Sequence, residues 1–441
     1  MAGIKLMRSL YLCYFGLREP LVQTQVLPYL RELRRGGVEL HLLTFEPGGD
    51  SAWTESDREA WRARMESQGI QWRMLPYHAR PSLPATLYDI AAGALAAARL
   101  RRQEGIDLLH ARGYVAAAMG ALAKWRRGGK LIFDIRGFMA EEYVDAGVWP
   151  AGGLLYRLTK VAEKKLLAAA DGYVVLTEKA RSILFPREDR PAGGPPESVS
   201  KTHVGGDSVK PVEVIPCCVD QERFRAFDGE TRDGLRRSLN LEGRRVIVYV
   251  GALGGWYLTE EMVDLLAVAH QEDPSTFSMI LTQGPREMIV GRLNSLGVPE
   301  SDYLVKKVPP EDVPRYLKAA DFAVSLIKPC YSKMSSSPTK IAEYLASGLP
   351  VISNAGIGDL DALLEEDAVG VVLGACDRES YRQALDAMGR LLLDPGIAGR
   401  CRKSARDRFD LVTVGGVRYR RLYQRIFESE ARACSPAQVE T

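Results

Sequence analysis

A chain of 441 residues with 46% hydrophobic and 26% charged residues has the balance of a soluble globular protein, which excludes a fibrous or wholly disordered one. The 59 basic and 56 acidic residues leave a formal charge of +3, too small to argue for nucleic acid as a partner. The length suits two domains, each able to bury a full core.

Residues 1–200 carry a net +6 and the remainder −3, so the front of the chain has room for an anionic or membrane-surface partner. Seven cysteines, with Cys217 and Cys218 adjacent and no CxxC, predict a reducing, cytoplasmic setting and no zinc site. No run reaches the roughly 18 apolar residues that a membrane span requires. The apolar start, Lys5–Phe15, runs into Gly16 and Pro20 with no small-residue cleavage pattern, and so reads as a first strand rather than a signal peptide.

After that strand, Val22, Val26, Leu30 and Leu33 recur at steps of 4, 4 and 3, predicting a helix that Arg34-Arg35-Gly36-Gly37 ends. Val38–Phe45 is the next strand, giving a strand–helix–strand unit of the kind that builds parallel sheets. The alternation continues with a helix over 85–103, a strand at 107–110, a helix over 114–127, a strand at 131–135, a helix over 154–170 and a strand at 173–176. Residues 186–211 are rich in Pro, Gly, Ser and charge and predict a flexible loop or linker. A second series has strands near 245–250, 277–282, 303–306, 322–326, 350–353 and 369–373, and a tail helix over 414–432. The predicted architecture is two doubly wound α/β domains facing each other across a cleft: residues 1–185, the linker, 212–410, and a segment over 411–441 that returns to the first domain.

The segment from Ser335 to Ile352 carries the most chemistry. Ser337 suits a helix N-cap, Pro338 a first helical position and Gly348 a stop. Lys340 then falls at the third helical position, where a cation opposes the helix dipole unless an anion docks at the helix start. With Ser335, Ser336, Ser337 and Thr339 around it, this is a candidate phosphate or diphosphate site. The alternative is a solvated i,i+3 pair of Lys340 with Glu343. In the first half, Arg136 follows a buried strand and precedes Gly137, Glu141, Glu142 and Asp145; it reads either as a site residue or as an ion pair with Glu141. His110 and Arg112 follow another strand, and a structural role for the histidine is the alternative. Asp359-Leu360-Asp361 has no second acidic or histidine cluster to make it a metal site. Cys217 and Cys218 have no nearby histidine to make either a nucleophile.

The stretch Glu343…Ala346-Ser347-Gly348-Leu349-Pro350-Val351-Ile352 resembles the donor motif of retaining glycosyltransferase family 4, the group 1 glycosyl transferases of the GT-B fold. That motif normally has two glutamates separated by seven residues. Glu343 matches the second, Ser335 stands where the first would be, and Ser337-Pro338-Thr339-Lys340 matches an S-P-T-K subset. Val214-Ile215-Pro216-Cys217-Cys218-Val219-Asp220 with Arg223-Phe224 resembles the family's interdomain segment, with cysteines in place of Asn and Gly. Tyr249-Val250-Gly251 resembles the opening of the second domain, but Ala252 and Tyr257 stand where the family offers an Arg and a Lys to the diphosphate.

The resemblance implies transfer of a sugar from a UDP- or GDP-sugar, with retention, to an unidentified acceptor, and no cofactor or metal. It assigns Glu343 to the ribose, and Lys340, Thr339 and Ser335–Ser337 to the diphosphate and sugar. Gly254 and Gly255 would allow close backbone approach, Gly16 would form the loop closing over the donor, and Arg136 would face the reacting centre. The same fold also hosts nucleotide-sugar epimerases, and the missing cations leave a non-catalytic binding protein as a further reading. The basic clusters at 31–35, 99–102 and 124–130 complement helix dipoles, or together would hold the first domain to the inner face of an anionic membrane.

Overall fold

The computed structural model describes residues 7–49, 52–127, 129–186, 200–202, 210–225 and 231–433. The chain divides into two compact units, Met1–Ile215 with Gly415–Thr441, and Pro216–Val414.

The first unit holds an eight-stranded sheet: β1 (Arg8–Cys13), β2 (Glu39–Glu46), β3 (Ile70–Pro76), β4 (Leu108–Arg112), β5 (Lys130–Asp134), β6 (Gly172–Val175), β7 (Ser200–Thr202) and β8 (Lys210–Val214). Their order is β3-β2-β1-β4-β5-β6-β8-β7, parallel except that β7 runs antiparallel to β8. Strands β1 and β4 are neighbours from which the chain winds in opposite directions, so this is the switch point beyond which ligands bind in such sheets.

Three features differ from the reading of the sequence. The helix Glu55–Ser67 and strand β3 were not foreseen, because the helix buries only Met65 and the strand, at the sheet edge, buries only Ile70 and Trp72. The single helix expected over 22–33 is two, Pro20–Gln25 and Leu27–Arg35. Pro28 has no N–H to give Thr24 and crowds its carbonyl, so the ladder breaks at Val26, while Val22, Val26, Leu30 and Leu33 all stay buried. Residues 210–214 pair with β6 in the first sheet, so the units divide after Ile215 rather than before 212. Of the expected linker, 187–199 and 203–209 lie outside the described residues.

The helix Val417–Ala433 belongs to the first unit and buries Tyr419, Leu422, Tyr423 and Ile426. It lies close on the sheet: a Cβ on Gly172 of β6 would come within 2.8 Å of Ile426.

The second unit holds a parallel six-stranded sheet: β9 (Arg245–Val250), β10 (Thr276–Leu281), β11 (Tyr303–Lys306), β12 (Phe322–Ser325), β13 (Val351–Asn354) and β14 (Gly370–Leu373). The order β11-β10-β9-β12-β13-β14 puts its switch point between β9 and β12. Helices cover both faces, and the strands read as continuous apolar runs because both faces are buried.

Candidate functional site

The loop after β9, Gly251-Ala252-Leu253-Gly254-Gly255, leaves the sheet at the switch point. Gly251, Gly254 and Gly255 have φ of 142°, 69° and 61°, values that L side chains rarely adopt. The loop is pinned on both sides. Lys328 N donates to Trp256 O (2.8 Å), Leu258 N to Leu326 O (3.2 Å), and Gly254 N to Thr259 Oγ1 (2.8 Å).

Beside it lies the helix Thr339–Ala346, which buries Ile341, Ala342, Tyr344 and Leu345. Tyr344 OH accepts Val250 N at 2.7 Å and so ties the helix to the end of β9. The N-cap is Pro338, not Ser337, and no side chain caps the helix. Lys340 is therefore the second helical residue rather than the third. Ser337 is drawn away because its Oγ accepts Cys217 N at 3.1 Å. Ser335 is buried and donates to Ser332 O at 2.6 Å, while Ser336, Ser337 and Thr339 are half-buried around the uncapped helix start.

Lys340 is 7% exposed. Its Nζ stands 4.2 Å from the ring centre of Tyr249 and 4.0 Å from that of Tyr257, and has no hydrogen-bond partner among the described residues. The backbone passes so near that a Cβ on Gly251 would meet Nζ at 2.6 Å. Burial pushes the ammonium pKa down to about 7, with Glu343 opposing. The solvated Lys340–Glu343 pair weighed from the sequence is not what forms: Lys340 is enclosed, and Glu343 turns to Arg223, whose Nη1 is 3.6 Å from Oε1. Burial raises the Glu343 carboxyl, and Arg223 and then Lys340 oppose that rise. Arg223 is itself held by Pro310 O at 2.9 Å.

Five residues of this site carry contacts that sequence reasoning did not assign. Tyr249 and Tyr257 form the two walls around Lys340, Arg223 holds Glu343, and the Nζ of buried Lys333 lies 3.8 Å from the ring centre of Trp256. The signal available was the Tyr at position 257, where a cation was expected; an aromatic ring there serves a cation arriving from another segment.

Gly16 and Arg136 belong to the first unit. Gly16 follows β1, and a Cβ there would come 2.8 Å from Glu46 Oε2. The Glu46 carboxylate accepts Leu17 N and Trp53 Nε1, each at 2.8 Å, and so fixes the loop. Arg136, beyond the end of β5, donates from Nη2 to Asp134 Oδ2 and Tyr419 OH, each at 2.8 Å. Glu141, weighed from the sequence as its partner, meets Lys160 at 3.0 Å. His110 Nε2 lies 3.5 Å and Arg112 Nη1 3.9 Å from the same buried Asp134 oxygen, and His110 Nδ1 is 2.8 Å from Tyr423 OH. Burial alone would raise the Asp134 carboxyl, but Arg136, His110 and Arg112 hold it well below the usual carboxylate range.

Among the described residues no group of three or more His, Cys, Asp or Glu is placed to hold a metal. Asp361 accepts Gly356 N at 3.0 Å instead. No helix among them is long and apolar enough to cross a membrane.

A family model for a glycosyl transferase 4-like domain matches residues 22–192, and one for glycosyl transferases group 1 matches 231–408. The D-inositol 3-phosphate glycosyltransferase of Salinispora tropica is 25% identical over 336 residues, 72% of this chain and 63% of that protein. Its counterpart in Salinispora arenicola is 26% identical over 343 residues, 74% of this chain and 70% of that protein. The matched region thus spans less than two thirds of the first relative's length. Among solved structures, a glycosyltransferase from Rickettsia africae superposes with a TM-score of 0.69 at 12% identity, covering 96% of this chain and 99% of that one. HepE of Anabaena, in complex with UDP, gives 0.62 at 16%, covering 97% and 100%. The sucrose-phosphate synthase of Thermosynechococcus elongatus gives 0.67 at 15%, covering 96% and 100%. The chain is therefore built as a glycosyl transferase 4-like domain followed by a group 1 glycosyl transferase domain, in the GT-B fold.

Proposed function

We propose that this chain transfers a sugar from a nucleoside diphosphate sugar to an acceptor hydroxyl with retention at the anomeric carbon. The observation that carries the reading is Lys340: a buried amine without a hydrogen-bond partner among the described residues, at the uncapped start of a helix, at the switch point of a parallel sheet. A diphosphate seated there would receive Lys340 Nζ, the free N–H groups of the first turn and the backbone of the Gly251–Gly255 loop. Its charge would draw a proton onto Lys340, and the ammonium would then stabilise the leaving diphosphate as the glycosidic bond breaks, with no metal required.

In this reading Lys340 supplies the charge that Ala252 and Tyr257 do not. Glu343 takes the ribose hydroxyls, with Arg223 keeping its carboxylate ionised. Thr339 and the Ser335–Ser337 turn take the sugar and phosphate oxygens, and Gly254 and Gly255 admit the nucleotide against bare backbone. Arg136, braced by Asp134 and Tyr419, is assigned to the acceptor side, and Gly16 to a loop beside it.

Thermal melting against UDP, GDP, ADP and CMP tests the donor site. A nucleotide at a hundred times its dissociation constant stabilises by about 2.7 kcal/mol. We expect a shift with UDP, the ligand of the HepE complex, and its loss in Glu343→Ala. A shift with no nucleotide removes the assignment. Nucleotide binding without sugar transfer favours the non-catalytic reading that Ala252 and Tyr257 suggest.

A further inference from the structure

Three helices of the first unit, Ser82–Glu104, Gly113–Arg127 and Leu154–Ala169, pack side by side. A helix on a globular surface normally turns its apolar side inward and its charged side to water. Two of these three break that rule. On Leu154–Ala169 the exposed positions include Leu154, Leu155, Leu158 and Val161, with Leu154 74% exposed. On Ser82–Glu104 they include Leu83, Leu87, Tyr88 and Leu95. At about 100° per residue the first set falls within roughly 120° of its helix and the second within roughly 140°, so each lies along one side. The helix between them adds Leu122 and Trp125, the latter 86% exposed.

The charges on these surfaces have one sign. The exposed charged residues beside the apolar stripes are Arg99 and Arg102 on one helix and Arg157, Lys164 and Lys165 on the other. The acids point inward. Asp89 is buried and bonds to Tyr14 OH (2.7 Å) and His78 Nδ1 (2.6 Å). Glu163 is buried and bonds to Tyr114 OH (2.7 Å) and Lys160. Glu104 ends its helix, and the middle helix has no acidic residue.

An outward face of aliphatic and aromatic side chains set among cations is the chemistry of a helix lying in the plane of a bilayer interface. We propose that this three-helix face seats the first unit on a membrane surface carrying anionic phospholipid. The leucines and Trp125 enter the headgroup boundary, and the five cations meet lipid phosphates. The one-signed charge selects this occupant over a second copy of the chain, since two such faces brought together would oppose cation to cation. The inference stands apart from the donor site, which lies in the other unit.

Vesicle flotation of the full chain tests it, with phosphatidylcholine alone and with phosphatidylcholine mixed with phosphatidylglycerol. Expected is flotation with the mixed vesicles only, weakened by salt and reduced about tenfold or more in Leu154→Ser/Leu158→Ser and in Lys164→Ser/Lys165→Ser. A blue shift of tryptophan emission on adding mixed vesicles should shrink in Trp125→Phe. Unchanged circular dichroism melts show that the variants are folded. Equal flotation with both lipids, no flotation, or a dimer in solution that Leu154→Ser/Leu158→Ser dissociates would each overturn the proposal, the last by giving the face to a second copy.

Discussion

Replacing Lys340 by methionine keeps the length and apolar stem of the side chain and removes its charge. The native amine has a pKa of about 7 in the fold against 10.5 for an ordinary lysine. Between those values the unfolded chain binds the proton and the folded chain does not, so native stability rises with pH through that window. Below about pH 7 the fold carries the whole penalty, about 5 kcal/mol by the standard conversion of pKa into free energy. At pH 9 the same linkage leaves about 2 kcal/mol of it. Lys340→Met should therefore be the more stable protein at pH 6, by several kcal/mol, and the gap should narrow by about 3 kcal/mol on moving to pH 9. Denaturant unfolding at the two pH values measures this directly.

The variant should also lose the UDP-induced melting shift, because charge-assisted bonds to a diphosphate contribute about 1.5–3 kcal/mol each. In the native protein, UDP binding at pH 8 should take up close to one proton per site, read by calorimetry in buffers of different ionisation enthalpy. A stability gap that does not change with pH would refute the idea that Lys340 is held as a neutral amine awaiting an anion. Proton-neutral UDP binding would refute the second half of the argument.

Three other perturbations have clear signs. Gly251→Ala forces a Cβ toward Lys340 Nζ at a φ of 142°, and should cost at least about 1 kcal/mol of stability and abolish the nucleotide-induced shift. Arg223→Ala removes the main group opposing the burial-driven rise of the Glu343 carboxyl; the UDP-induced shift should then fall off steeply from pH 8 to pH 5.5, compared with a shallower fall in the native protein. Asp134→Asn leaves Arg136, Arg112 and His110 around an uncharged amide and should destabilise the protein by about 3–5 kcal/mol. The native Asp134 pKa is depressed, so its contribution is present above the ordinary carboxylate range and lost as pH falls toward the depressed value; the acid-side loss of stability should therefore be shallower in Asp134→Asn than in the native protein.

Strands such as β9 and β12 were readable because burial on both faces leaves runs like Val246-Ile247-Val248 with no polar interruption. Strand β3 was not, since an edge strand with two buried side chains has almost no pattern to detect. The helix start at 338–340 was readable to within one position, and the error has a cause: Ser337 serves Cys217 N, a partner that no local rule supplies. The setting of Lys340 was hidden for the same reason. Its two aromatic walls come from the end of β9 and the loop beyond it, and only the folded sheet brings them to the helix. Arg136 reads from the sequence as a site residue or as an ion pair with Glu141; its bond to Tyr419 was out of reach of either reading, because Tyr419 lies 283 positions further along the chain.

The helix Val417–Ala433 makes the first unit discontinuous in the chain. On the ribosome, residues 1–215 emerge first, yet Ser9 and His110 lack Tyr423, Gly172 lacks Ile426, and Arg136 lacks Tyr419 until the last helix is translated. The whole of Pro216–Val414 is translated before that happens. The first unit is thus completed only after the second has been translated, and its apolar seam for the helix Val417–Ala433 stays open in the meantime, a stage at which misassembly competes with folding.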